Sequence, residues 1–161
     1  MDPIEQLLEN EAAYAEKFPG EAPHLPQLKV AVVTCMDCRI DVETMLGVEP
    51  GQIHVIRNAG GLVTPDTIRT LTASQRSLGT EYVMLIQHTD CGMSRTDDEE
   101  FLAQIEKETG QRPDWRPGGF KDVDESVKAG MKKLLDSPFV GGTVRGFVLD
   151  IKNGGLREVT L

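Results

Sequence analysis

Residues 29–41 read KVAVVTCMDCRID, a valine-rich apolar run that ends in two cysteines, two aspartates and an arginine. A short, continuous apolar run of this kind predicts a β-strand that is buried on both faces, as the strands of a parallel sheet are. Apolar runs comparable to this one predict three further strands, QIHVIRN at 52–58, EYVMLIQ at 81–87 and VRGFVLDI at 144–151. Near the end of the chain, LREVT at 156–160 follows an NGG turn and predicts a terminal hairpin.

Segments with helical periodicity separate these strands. A short helix is predicted over residues 41–47, and Thr64 caps a second helix that Gly79 ends. Thr96 and Glu99 form a capping-box pair that predicts the start of a third helix. Strands that alternate with helices predict an α/β fold, with a mainly parallel central sheet flanked by helices. A fourth helix is predicted from the periodic apolar residues Val123, Val127, Met131, Leu134 and Leu135.

The chain begins with a segment that is predicted to stand ahead of the sheet. Asp2 can cap a helix that begins at Pro3, and a proline-rich linker, FPGEAPHLPQL at 18–28, follows this helix. From the residues alone, the helix packs either on a neighbouring subunit or back on its own core. We expect residues 1–161 to form a single domain, with residues 1–28 as its N-terminal helix and linker arm.

The composition is that of an acidic globular protein. The 161 residues carry 26 Asp and Glu against 17 Lys and Arg, which gives a formal net charge of −9. Nucleic acids and anionic membranes require basic patches, so we expect neither as a partner. No apolar run approaches the ~18 residues that a transmembrane helix needs. The acidic N-terminus is unlike a targeting peptide, so we predict a cytoplasmic protein. Three cysteines, an odd number, favour a metal site or a reactive thiol over a disulfide framework.

Reactive side chains collect where the first three predicted strands end. Sheets of this type bind ligands at the carboxyl ends of their strands. If the first and third strands are neighbours, two cysteines and one histidine converge there. Such a set is a known catalytic zinc arrangement that leaves a fourth position open for water or substrate. The residues that leave the three strands are, in order, Cys35, Asp37 and Arg39, then Arg57 and Asn58, then His88 and Cys91.

Three other interpretations use the same residues. Cys35 and Cys38 form a C-x-x-C between a strand and a helix, as in dithiol oxidoreductases, although this leaves His88 and Cys91 without a role. All four side chains could instead close a structural zinc site. The cysteines could also be buried residues without a ligand, as free cysteines often are. The residues alone leave these alternatives open.

Three motifs in the chain resemble those of the beta class of carbonic anhydrases in their order and separation. They are CMDCR at 35–39, VIRNAGG at 55–61 and HTDCGM at 88–93. The short length and the CMD form are similar to the small prokaryotic subgroup of that class. The likeness covers most of the chain, and the three motifs are specific only in combination.

This resemblance implies a zinc enzyme with a defined ligand set. Zinc would be the cofactor, and Cys35, His88 and Cys91 would bind it. Asp37 and Arg39 would form a catalytic dyad beside the metal. In a resting form, Asp37 would itself take the fourth zinc position before it moves to Arg39. The implied lyase reaction is the reversible hydration of carbon dioxide to bicarbonate and a proton by zinc-bound hydroxide.

The resemblance also carries expectations about substrate, assembly and neighbouring residues. Backbone amides near Gly60 would face the substrate, and the chain would form a homodimer or higher homo-oligomer through its N-terminal helix. The alternative activity is hydrolysis of carbonyl sulfide or carbon disulfide, and a non-catalytic zinc protein of the same fold is a further alternative. Cys38 stands where the family leads us to expect a small residue such as Ala or Ser. We interpret Asp90 as a hydrogen-bond partner behind the metal and His54 as a sheet residue.

Overall fold

The computed structural model describes residues 2–161, and this part of the chain forms five strands and five α-helices. The predicted α/β fold is confirmed, including the terminal hairpin strand. None of the helices within residues 2–161 is long and apolar enough to cross a membrane. The helices are α1 Pro3–Glu16, α2 Val42–Leu46, α3 Pro65–Arg76, α4 Asp98–Thr109 and α5 Val123–Asp136. The strands are β1 Val30–Cys35, β2 Ile53–Asn58, β3 Tyr82–His88, β4 Thr143–Leu149 and β5 Leu156–Val159.

The strand order of the sheet determines where a ligand can bind. The order is β2-β1-β3-β4-β5, with the first four strands parallel and β5 antiparallel to β4. The chain therefore passes from β1 to a neighbour on one side and then returns to the other side as β3. Open α/β sheets bind ligands at such a reversal, beyond the carboxyl ends of the strands. Cys35 pairs with Asn58 and Thr34 with Ile86, so three strand ends lie level at this edge.

Both faces of the sheet are buried. On one face, Val33 and Leu85 pack with Val127 of α5. On the other face, Val32 and Ile86 belong to a second apolar cluster, which also contains residues of α2. Successive residues of β1 and β3 thus point into opposite cores, as the two-residue period of a strand requires. Packing from both sides holds the ends of these two strands in fixed positions.

α1 stands apart from the core. Its predicted start is confirmed, because the Asp2 carboxylate accepts the N–H of Ile4 and the side chain of Glu5 accepts the N–H of Asp2. The structure describes every residue of α1, and none of them is buried. Leu7 and Leu8 remain 65% and 61% exposed. Of the two placements that the sequence left open, folding back onto its own core is wrong.

The boundaries of two helices differ from the prediction. Thr96 was expected to cap α4, but Asp97 holds that place, and its carboxylate accepts a backbone N–H of the first turn at 3.0 Å. The Thr96 hydroxyl instead donates to the carbonyl of Gly92 at 3.1 Å. α3 ends at Arg76, ahead of the predicted stop at Gly79, which has a φ of 78° in the turn that follows.

Candidate metal centre

Two neighbouring strand ends and the turn after β3 bring three metal-ligating side chains together. Cys35 is the last residue of β1, His88 is the last residue of β3, and Cys91 follows in the next turn. One ligand atom from each residue lies within 4.8 Å of the other two. The two sulfurs are 4.0 Å apart. All three residues are buried, with exposed fractions of 4%, 1% and 2% in that order.

The hydrogen bonds of His88 determine which of its nitrogens is free. Nδ1 lies 2.7 Å from the carbonyl oxygen of Thr89. A carbonyl only accepts, so we assign the proton of the neutral ring to Nδ1. Nε2 then carries a lone pair, and it is a buried atom without a hydrogen-bond partner among the described residues. An unpaired buried acceptor is costly, and a metal ion is one group that can satisfy it.

The two sulfurs lie in surroundings that disfavour two negative charges unless a cation is present. Burial raises the pKa of the Cys91 thiol, a bond from the N–H of Met93 partly opposes this, and the neighbouring Cys35 raises the pKa further. The N–H of Gly60 donates to Cys35 Sγ at 3.3 Å. A bound cation would remove the repulsion between the sulfurs, so the group is able to hold a metal.

The predicted substrate residue Gly60 therefore has a contact that the sequence did not reveal. It lies in the 3-10 turn Ala59–Gly61 after β2, where its φ is 85°. A Cβ at this position would lie 3.0 Å from Met93 Cγ and 3.1 Å from Leu62 Cγ. The amide of Gly60 is directed at a sulfur, and the predicted contact of this residue with substrate stays a prediction.

Asp37 and Arg39 form a fixed ion pair beside the Cys-His-Cys group. Nε and Nη2 of Arg39 donate to the two carboxylate oxygens of Asp37 at 2.9 and 2.7 Å, and the backbone N–H of Arg39 donates to Oδ1 at 2.9 Å. These bonds hold the pKa of the Asp37 carboxyl well below its usual range, so the group is charged at neutral pH. Asp37 Oδ2 lies 3.6 Å from His88 Nε2, but Asp37 is not a member of the mutually close ligand group.

Arg57 ties the loop that carries the dyad to the sheet. Its side chain lies at the end of β2 and donates to the carbonyls of Cys35 and Ile40, each at 3.0 Å, and of Asp37 at 2.7 Å. Three bonds from one guanidinium restrict the path of the backbone on both sides of Asp37. The position of the dyad is thus set by two neighbouring strands.

Two other residues that the sequence singled out lie outside the Cys-His-Cys group. Cys38 is exposed, and none of the three cysteines is in a disulfide. A closed four-ligand site that includes Cys38 does not match this arrangement. His54 is a sheet residue, as predicted. Its Nδ1 lies 2.7 Å from Ser74 Oγ, and burial lowers its pKa.

Arg95, which no sequence pattern singles out, extends the dyad through Asp90. Asp90 Oδ2 accepts from Nη1 of Arg39 at 2.9 Å, and its Oδ1 accepts from Nη1 of Arg95 at 2.7 Å. The only signal in the sequence is a basic residue five positions after Asp90. That spacing is equally typical of two solvated surface charges, so sequence reasoning could not identify the contact.

The protein is thus a doubly wound α/β protein with a candidate metal site. The site is the buried Cys-His-Cys group, which lies where the strand order of the sheet reverses. A family model described as carbonic anhydrase matches residues 30–154, and the chain therefore belongs to the carbonic anhydrase family. Beta-carbonic anhydrase 1 of Mycobacterium tuberculosis is 45% identical to the chain over 99% of both proteins, which confirms the predicted beta class.

Two further comparisons bear on fold and activity. The crystal structure of a carbonic anhydrase from Streptococcus mutans matches with a TM-score of 0.92 and 34% identity, over 99% of both chains. A carbon disulfide hydrolase of an Acidianus species is 32% identical, over 79% of this chain and 75% of its own.

Proposed function

We propose that this protein is a zinc-dependent carbonic anhydrase that interconverts carbon dioxide and bicarbonate. One observation carries the proposal: a buried Cys-His-Cys group with an unpaired histidine nitrogen lies beside an aspartate that an arginine keeps charged. The name of the Mycobacterium relative, which matches over 99% of both proteins, supports the same activity.

Zinc fits the donor set of the site. Two Zn–S bonds of ~2.3 Å at the tetrahedral angle place their sulfurs ~3.8 Å apart. The corresponding distance between Cys35 Sγ and Cys91 Sγ is 4.0 Å. His88 Nε2 would be the third ligand. When bound, zinc acts as a Lewis acid that makes a hydroxide nucleophile available near neutral pH, a role for which carbonic anhydrases are themselves the standard example.

Asp37 and Arg39 have the properties that the catalytic dyad requires. Asp37 Oδ2 lies 3.6 Å from His88 Nε2, the nitrogen that would bind the metal. From there the carboxylate can accept a hydrogen bond from the reacting water, so that the water's lone pair faces the substrate. Arg39 fixes the direction of this carboxylate through two bonds. Either a metal or the guanidinium can balance the charge of Asp37, so we propose it as the conditional fourth ligand. The bonds from Arg39 to Asp37 support the form of the protein in which Asp37 leaves the fourth metal-ligand position free.

The substrate side of the site is proposed to lie at Gly60. Carbon dioxide is small and has no net charge, so an apolar wall suits it. Leu62 and Met93 supply such a wall next to Gly60, each with a Cγ about 3 Å from where a Cβ of Gly60 would lie. The absence of a side chain at Gly60 lets the backbone lie directly against Leu62 and Met93.

Carbon disulfide hydrolysis is the second candidate, and the relative from Acidianus favours it. The same kind of nucleophile attacks the central carbon of either molecule. We place carbon dioxide first because the carbonic anhydrase relative shares 45% identity over the whole chain, against 32% over 79% of it for the hydrolase.

We further propose a homodimer in which α1 packs on the partner subunit. The exposure of Ile4, Leu7 and Leu8, at 64%, 65% and 61%, supports this assembly because a helix rarely leaves its whole apolar face in water. The organisation of residues 1–161 as a single domain, with residues 1–28 as its arm, and the cytoplasmic location remain predictions within this proposal.

Paired assays on the zinc-loaded protein test the choice of substrate. Stopped-flow detection of proton release would measure carbon dioxide hydration, and release of hydrogen sulfide would measure carbon disulfide hydrolysis. We expect rapid hydration well above the buffer rate and slow sulfide release, both lost in His88→Ala. Rapid sulfide release without hydration would reject the proposal in favour of the second candidate.

A further inference from the structure

The guanidinium of Arg39 is bound on two edges. Its Nε and Nη2 edge faces Asp37, as described above. Its Nη1 and Nη2 edge faces Asp90, whose Oδ2 and backbone carbonyl accept at 2.9 and 3.0 Å. A planar guanidinium that is bonded along two edges cannot rotate about its stem without losing both sets of bonds.

Asp90 is in turn fixed on its far side. Its other oxygen, Oδ1, accepts from Arg95 at 2.7 Å. The chain Asp37–Arg39–Asp90–Arg95 thus alternates in sign and carries no net charge.

The backbone at Asp90 is shaped for this contact. Asp90 has a φ of 53°, in the left-handed region that few residues other than Gly, Asn and Asp tolerate. This conformation occurs in the turn between His88 and Cys91, so the bond to Arg39 starts from the segment that carries two of the proposed metal ligands. Arg39 is attached to that segment without being a ligand itself.

We propose that Asp90, held by Arg95, is a positioning residue that keeps the Arg39 guanidinium where it binds Asp37 and so keeps Asp37 away from the fourth metal position. Asp90 uses Nη1 of Arg39, which Asp37 does not use, so the two carboxylates do not compete for that donor. Without Asp90, Arg39 gains rotational freedom and Asp37 spends more time at the metal. This inference rests on the proposed function of the site.

The Asp90→Asn substitution tests the role without disturbing the turn, because Asn also tolerates a left-handed backbone. We expect kcat/KM for carbon dioxide hydration to fall by about fivefold, the order expected for one exposed charged pair. In an Arg39→Gln background the same change is expected to alter kcat/KM by less than about twofold, since the residue through which Asp90 acts is gone.

The matched control is Asp124→Asn. Asp124 also accepts two bonds from one arginine, Arg157, at 2.5 and 2.8 Å, but it lies on α5 and outside the chain of charges at the dyad. The kcat/KM of the Asp124→Asn variant should stay within about twofold of the wild-type value. An Asp90→Asn protein as active as wild type, or one whose loss persists fully in the Arg39→Gln background, would overturn the inference.

A second measurement separates this inference from the proposed activity. In the cobalt-substituted protein, thiocyanate titration of the visible absorption reports how freely an anion reaches the fourth position. Asp90→Asn should weaken thiocyanate binding, because Asp37 occupies that position in a larger fraction of molecules. If wild type hydrates no carbon dioxide, the proposed function fails, while the titration still decides the role of Asp90. Unchanged thiocyanate affinity in Asp90→Asn would refute that role.

Discussion

Replacing Gly60 by Ala should weaken metal binding by more than the accompanying loss of folding stability explains. Gly60 has a φ of 85°, and an L-residue in the left-handed region costs ~1–2 kcal/mol. The new Cβ would also lie 3.0 Å from Met93 Cγ and 3.1 Å from Leu62 Cγ. Both neighbours are flexible side chains that can move by a few tenths of an ångström, so the backbone strain is the main term in stability.

The effect on the site follows from the amide of Gly60. This N–H donates to Cys35 Sγ at 3.3 Å, and relief of the backbone strain would move it away from the sulfur. Loss of a hydrogen bond to a metal ligand typically weakens metal affinity by about 10–100-fold. We expect a zinc affinity lower by a factor in this range.

Gly79→Ala is the matched control for the backbone strain. Gly79 has a φ of 78°, and no atom lies within 4 Å of its missing Cβ. Both variants, studied as metal-free proteins, should melt about 2–8 °C below wild type, the shift that ~1–2 kcal/mol gives in a protein of this size.

Competition with a zinc-binding dye would then measure the affinity of each variant. Only Gly60→Ala should differ from wild type. Equal zinc affinities in the two variants would show that the bond from the Gly60 amide to Cys35 Sγ does not support metal binding.

Three further predictions follow from the dyad, the exposed thiol and the N-terminal helix. Arg39→Gln should destabilise the metal-free protein at neutral pH, because Arg39 lowers the pKa of Asp37 in the folded state. This stabilisation is fully present above the pKa of an unfolded Asp, about 3.9, and it is lost as the pH falls through the lower pKa of folded Asp37. Urea unfolding of variant and wild type from pH 7 downwards should show the difference shrinking, and a constant difference would contradict it. Cys38→Ser should keep zinc content and hydration near wild type, because Cys38 is exposed and outside the ligand group, whereas loss of both would restore the dithiol or closed-site interpretation. Leu7→Glu with Leu8→Glu should lower the mass measured by light scattering to that of one chain, and an unchanged oligomer would show that α1 does not hold it together.

The sequence predicted the sheet well because its strands are short, largely apolar runs, such as 30–35 and 82–88, which are typical of a buried parallel sheet. It could also place Cys35, His88 and Cys91 at one edge, since parallel strands end together. The predicted cap of α4 was wrong because adjacent Thr and Asp are both good caps, and in the structure it is the Asp97 carboxylate that accepts the first-turn N–H.

Other parts of the site could not be derived from the sequence. The Gly60 amide reaches Cys35 only because a 3-10 turn after β2 brings it back towards β1. Arg95 reaches Asp90 because the turn after His88 follows a left-handed path. Contacts of this kind depend on local φ values and side-chain rotamers, which the pattern of apolar and polar residues does not encode.

Zinc titration of the metal-free protein, followed by stopped-flow carbon dioxide hydration, decides whether the Cys-His-Cys group is the catalytic metal centre. The Cys-His-Cys group offers one site per chain, so activity should rise in proportion to added zinc and stop rising at one equivalent. The same titration of Cys91→Ser should give little activity at any zinc level. Full activity without zinc, or none at one bound equivalent, would contradict the assignment of this group as the catalytic metal centre.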